Sequence, residues 1–311
     1  MSFRIPKIKK DPPISTDSNT STDASTDTST DTSINTNKGT DTSTTSSKEI
    51  YYPKITISQE DMFRIFAYLT ILFIGDNSIR TIYRDFVQIF STGRLLKKGE
   101  ATIQHGEYKM EGEVRLQKSG KRGHRDYKDV RYYFCQTSST QLIYIYIPTV
   151  FGDIAQRNID YLKTIKNCRF IHAVIFSLYH GNLNFAQLKK IEIPFNQHLE
   201  QYDENFNKIC MHLLDICENK KDRHQKKIWM GPFPPNMKLT KEQKEQFKEI
   251  ILHTDTITKI NGFKRFKRNF IWKKTHKELL IKNTHYFSPK GIRLMTQFLA
   301  EIIGTRWERT I

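Results

Sequence analysis

Cysteine is scarce: 311 residues hold only 4. Cys135, Cys168, Cys210 and Cys217 show no CxxC spacing, which argues against a disulfide framework and against a zinc knuckle. A reducing intracellular compartment, cytoplasmic or nuclear, is the expected location. Long apolar runs are missing as well. The longest, Ile65 to Ile74, falls far short of the roughly 20 residues needed to cross a bilayer, so no transmembrane segment is expected. The first ten residues, Met1 to Lys10, are charged and lack the apolar core of a secretory signal. No Walker loop, GxGxxG fingerprint or HExxH motif occurs, and neither a cofactor nor a metal is expected.

Acidic residues are also in deficit, with 33 Asp plus Glu against 50 Lys plus Arg and a formal charge of +17. The distribution matters more than the total. Residues 1–13 carry +3, residues 14–47 carry five Asp against Lys38, and the remainder therefore holds +18. Such an excess attracts anionic partners through its long-range field and says nothing about the fold. Between Ser15 and Ser47 aromatic residues are absent, and a loose Ser-Thr-Asp repeat takes over. That composition cannot offset the entropy of ordering a backbone, so residues 1–48 are expected to form a disordered tail.

From Tyr51 onward the periodicity becomes readable. Leu69 to Ile74 is an apolar run of strand length closed by Gly75, as for a strand buried on both faces. Behind it Ile79, Ile82, Phe86 and Phe90 recur at helical intervals. Leu142 to Ile147, Phe170 to Phe176 and Ile228 to Met230 also read as strands, with amphipathic helices at Ile154 to Ile165, Leu199 to Ile216 and Lys241 to Leu252. A final helix opens at Ser288-Pro289, an N-cap followed by proline at the first helical position. Strands alternating with helices predict a three-layer α/β domain, a parallel sheet with helices on both faces, over residues 51–307. In such sheets ligands sit at the carboxyl ends of the strands.

The stretch Phe73-Ile-Gly-Asp-Asn-Ser-Ile-Arg-Thr-Ile-Tyr-Arg-Asp-Phe-Val87 resembles the first block of the PC-esterase domain-containing proteins, a branch of the SGNH hydrolase clan. That block runs strand, Gly-Asp-Ser, then a helix with an Arg and an aromatic-basic-Asp-Leu stretch, which Arg80 and Tyr83 to Phe86 match. Similar pieces follow in the family's order: Leu96 to Glu100, Tyr127 to Arg131, Val174 to Leu183, Ile228 to Pro234, and Thr284-His-Tyr286 before the last helix. Together they span about Leu69 to Gly304. The resemblance implies a flavodoxin-like SGNH fold and hydrolysis of small acyl esters. A serine after the first strand would attack, a histidine near the C-terminus would take its proton, and an aspartate three residues earlier would orient that histidine. A second-block glycine and a third-block asparagine would help bind the oxyanion.

Matched residue by residue, that site is depleted. Asn77 holds the serine position, and its amide cannot form an acyl-enzyme. His285 fits the histidine, but Lys282 stands where the aspartate belongs and would disfavour an imidazolium. Ser177 replaces the third-block asparagine and Asn182 a family aspartate, while Gly99 or Gly112 could supply the glycine. Gly75 and Asp76 complete the expected pocket, Asp76 as a helix N-cap. Ser78 is an alternative nucleophile, although one residue along a helix turns the side chain by about 100°. The expected function is a catalytically silent PC-esterase-like protein with a binding or interaction role. The alternatives are an active esterase with a shifted Ser78 and His285 site, and a basic module for nucleic acid or another anionic surface.

That last alternative rests on Lys264, Arg265, Lys267 and Arg268, interleaved with Phe263, Phe266 and Phe270. The rings could stack on bases. Read as one helix face, they could equally pack into the core, and nucleic acid is the less favoured partner. The runs Lys118 to Lys128 and Lys220 to Lys227 are expected to be loops.

Overall fold

Thr70–Gly75 forms β1, every residue of it buried, because the run sits in the middle of a sheet covered on both sides. The chain is seen in a computed structural model that describes residues 54–102, 108–120, 124, 126–165, 170–179, 182–183, 188, 190–217, 225–233, 238–266, 279–281 and 287–305. The expected tail, residues 1–48, and the sites at Lys267, Arg268, Lys282 and His285 lie outside the described residues.

The helix that follows β1 is α2, Asn77–Thr92, capped by Asp76 and ended by Gly93 in the left-handed conformation. It is preceded by α1, Gln59–Phe66, which opens with a reciprocal Ser58 and Asp61 capping box. After the short α3, Lys98–Thr102, come three strands: β2 Val114–Ser119, β3 Lys128–Cys135 and β4 Thr140–Tyr146. Then follow α4 Ile154–Asp160, β5 Ala173–Ser177, α5 Phe195–Cys217, β6 Lys226–Trp229, α6 Lys241–Ile260, β7 Lys264–Arg265 and α7 Pro289–Gly304. Ser288 caps α7 by accepting the Gly291 N–H, with Pro289 in its first turn, as the sequence predicts.

The seven strands form one sheet in the order β2-β3-β4-β1-β5-β6-β7. Neighbours from β4 through β7 pair in parallel, and only β3 runs against the rest. Counting in chain order the five strands that pair in parallel, β1, β4, β5, β6 and β7, gives 2-1-3-4-5, the flavodoxin-like doubly wound order. Alternation along β1 splits the core in two. Ile71 and Phe73 pack with α1, α2 and α7, whereas Leu72 and Ile74 pack with α4, α5 and α6. The three-layer α/β expectation holds, and the described residues fall in one unit, Ile50–Ile311.

Two local readings need correction. Lys118 and Ser119 end β2 and Lys128 opens β3, so the two ends of the basic run expected as a loop are strand residues; Lys226 and Lys227 likewise open β6. β2 is an edge strand, and charge on an edge discourages pairing with other chains. Phe263 and Phe266 do not share a helix face. The helix stops at Ile260, and the chain turns at Asn261-Gly262 into β7. In extended chain, residues three apart point to opposite sides. Phe263 accordingly joins the α4–α6 core and Phe266 the α1–α2–α7 core, both buried.

Candidate functional site

The topological switch point lies between β1 and β5, where the connections leave in opposite directions. Two residues determine its shape. Gly75 has φ +141, and a Cβ there would stand 1.7 Å from the Ser177 carbonyl oxygen of the paired strand. Only glycine lets the strands run this close up to the site. Asp76, 3% exposed, then spans the crevice. Its Oδ1 accepts from the Ser78 N–H at 2.9 Å and the Ser78 hydroxyl at 2.5 Å, and its Oδ2 from the Tyr179 N–H at 3.2 Å. The capping role expected for Asp76 is the one it has, and it also stitches β1 to the loop after β5.

The Ser78 hydroxyl is thus bonded to a carboxylate. Among the described residues no histidine bonds to it, and its proton points at its own helix cap. Asn77 sits half-buried at the first helical position. Its amide oxygen accepts from an Arg80 guanidinium N–H. Ser177 is buried at the end of β5, paired with Gly75. Asn182 is also buried but turned to structural use: its Oδ1 accepts from Val150 N–H at 3.0 Å, and its Nδ2 donates to Thr149 Oγ1 at 2.8 Å. It holds the loop after β4. Gly99 is exposed in α3, with open space where a Cβ would go. Its neighbour Glu100 bonds Arg94, two residues past the end of α2. That places Gly99 at the opposite end of α2 from Asn77, a helix length of about 24 Å away. Gly112 turns the chain into β2 at φ +73, with Tyr133 beneath it.

What the sequence did not reveal is a buried ionic cluster beside Asn77. Asp129 and Arg131 lie two apart on β3, on the face that meets α2. Asp129 bonds Arg80 at 3.2 Å, Arg131 at 3.0 Å and Arg115 at 2.9 Å, and Arg131 reaches Glu113 at 2.6 Å. Asp129 and Glu113 have no exposed side-chain surface. Arg80 lies over the rings of Tyr144 and Tyr146, and Arg84 over Tyr108 at 5.3 Å. Burial and the neighbouring Arg80 and Arg131 charges pull the Arg84 guanidinium down to about 10. The only sequence signal for this cluster was the i, i+2 pair Asp129 and Arg131 beside strand-forming Val130.

The Tyr83 to Phe86 stretch of α2 also proves structural. Asp85 is fully buried and takes two N–H groups of Arg293 on α7, at 2.9 and 3.1 Å, and the Thr296 hydroxyl at 2.7 Å. Arg293 further donates to the Gly93 and Arg94 carbonyls. Thus the first helix of the motif is bolted to the helix that follows the His285 segment.

No family model matches the chain, and no similar curated protein is found. Among solved structures, an acetylxylan esterase from Geobacillus stearothermophilus is similar over 78% of this chain and 96% of its own, at 12% identity and a TM-score of 0.41. A likeness of that size carries no chemistry from one protein to the other. No described helix is long and apolar enough to cross a membrane, and no group of three His, Cys, Asp or Glu among the described residues is arranged to hold a metal.

Proposed function

We propose that the chain is a PC-esterase-like protein of the SGNH clan whose acyl-transfer site has been lost, leaving a scaffold for binding. The ordered motif pieces from Leu69 to Gly304 and the flavodoxin-like strand order support the scaffold. The observation that carries the loss of chemistry is Asn77: at the nucleophile's position stands an amide whose oxygen is held by Arg80. An amide offers no oxygen that can attack and leave as an ester. The adjacent hydroxyl does not replace it, because Ser78 donates to Asp76, and a carboxylate is a weak base for an alcohol compared with imidazole. Lys282 in place of the orienting aspartate removes a second member of the set, and losing one such member costs about 10⁴ to 10⁶ in turnover in serine proteases.

A serine-directed fluorophosphonate probe tests this reading. Wild type should label no more than its Ser78→Ala and His285→Ala variants. Labelling of wild type that is lost in Ser78→Ala would establish the shifted esterase instead.

A further inference from the structure

Three of the most exposed large apolar side chains lie at one end of the sheet, opposite Asp76: Tyr68 at 76%, Phe170 at 60% and Ile260 at 77%. Each stands where the chain approaches the amino end of a strand, β1, β5 and β7 respectively. Hydrogen bonds link the approaches to β1, β5 and β6, and β7 pairs beside β6. Tyr68 N–H donates to Ser138 O at 2.8 Å, Thr70 N–H to His172 Nδ1 at 2.9 Å, and Lys226 N–H to His172 O at 2.9 Å. The Gln225 amide donates to Ile171 O at 2.8 Å. Three strand spacings separate β1 from β7, about 14 Å.

Tyr68 carries an additional signal. Its φ is +65, a conformation that suits glycine just past a helix end and strains a bulky residue. Burial does not compensate, since the ring is in solvent. An exposed aromatic held in an unfavourable backbone conformation points to a use outside the fold.

Lysines border these tips. Lys226 and Lys264 share a face of the β6 and β7 pair. They are close enough that, after burial, the Lys264 charge is the next cause drawing Lys226 down from its usual value. Lys227 Nζ lies 3.2 Å from where a Gly262 Cβ would be, and Lys259 is exposed in the last turn of α6. The nearby Asp255 is engaged by Arg265 at 2.6 Å and by the Trp229 indole at 3.1 Å.

We propose that this amino-terminal end of the sheet docks on an anionic lipid bilayer, lysines to the headgroups and the three apolar tips into the interface. A duplex backbone would use the lysines but leave Tyr68, Phe170 and Ile260 in water, a single strand would offer nothing to Ile260, and Phe263 and Phe266 beside the basic cluster are buried and cannot stack on bases. A bilayer uses both kinds of group: tyrosine suits the headgroup level, aliphatic and aromatic tips the acyl boundary, and each nearby lysine adds to attraction by anionic lipid. The contact is peripheral, and it goes beyond the scaffold reading, on which it does not depend.

Vesicle flotation of the full chain tests it, with phosphatidylcholine alone and phosphatidylcholine mixed with phosphatidylserine. Binding should require phosphatidylserine and fall with salt. Changing Lys226, Lys227, Lys259 and Lys264 to Gln should weaken it by about fivefold per lysine. The triple change Tyr68→Ser, Phe170→Ser and Ile260→Ser should weaken it about tenfold or more at unchanged melting temperature, and this loss should persist at high salt. Equal binding to the two vesicle types, no binding, or wild-type binding by either variant set overturns the proposal. So does duplex RNA held more tightly than the vesicles and indifferent to the triple change.

Discussion

Arg293→Ala is expected to cost about 3–5 kcal/mol, because it leaves the Asp85 carboxylate buried without its counter-charge. The Gly93 and Arg94 carbonyls lose donors in the same step. Burial already raises the Asp85 pKa against the pull of Arg293. Without the guanidinium it rises further, so the folded variant binds a proton that the unfolded chain releases. Its stability should then fall as pH rises above the ordinary aspartate value, and the penalty should be larger at pH ~8 than at pH ~5. Chemical denaturation at the two pH values measures both effects. Replacing the pair together, Asp85→Leu with Arg293→Met, should recover much of the loss, since buried ion pairs are seldom better than well-packed apolar groups. Equal penalties at both pH values, or a loss below about 1 kcal/mol, would mean that α2 and α7 are held together by something else.

Gly75→Ala should be more damaging still for its size. One methyl group would meet the Ser177 carbonyl oxygen at 1.7 Å, and the φ of +141 is strained for alanine. The two strands cannot both keep their register, and more than about 3 kcal/mol should be lost. Gly99→Ala is the matched control. Nothing stands within 4 Å of its added Cβ, and alanine favours a helix over glycine by about 1 kcal/mol. A melting curve of each variant separates the glycine that shapes the switch point from the one that only resembles the family's second block. Comparable stability of the two variants would contradict the strand contact.

The strands of the sheet centre were legible because burial on both faces writes an unbroken apolar run, as in Leu69 to Ile74. So were α2 and α7, whose caps, Asp76 and Ser288 with Pro289, are local chemistry. The edge was harder. In β2 only Arg115 and Gln117 are even partly covered, so Val114 and Leu116 gave no strand signal among so many charges. The Phe263 and Phe266 spacing of three fits a helix, and only the turn at Asn261-Gly262 shows that extended chain puts them on opposite faces. At the site, Asn77, Ser78 and Asp76 could be placed from sequence, since the loop after a central strand is short. Asp129 and Glu113 could not. They reach Arg80 and Arg131 across strand pairings that no local pattern encodes.

Arg80 and Asp85 of α2 are both engaged in holding the helix in place. One fixes α2 to β3 through Asp129, and the other fixes it to α7 through Arg293. Both tasks concern the fold.

The most direct test of the scaffold reading is turnover of a short acyl ester, such as p-nitrophenyl acetate, by wild type, His285→Ala and the double variant Asn77→Ser with Lys282→Asp. Wild type and His285→Ala should hydrolyse the ester at the same background rate. The double variant, which supplies a serine and an aspartate at those two positions, should be the only one to exceed it. Turnover by wild type that disappears in His285→Ala would contradict the account and make the protein an esterase.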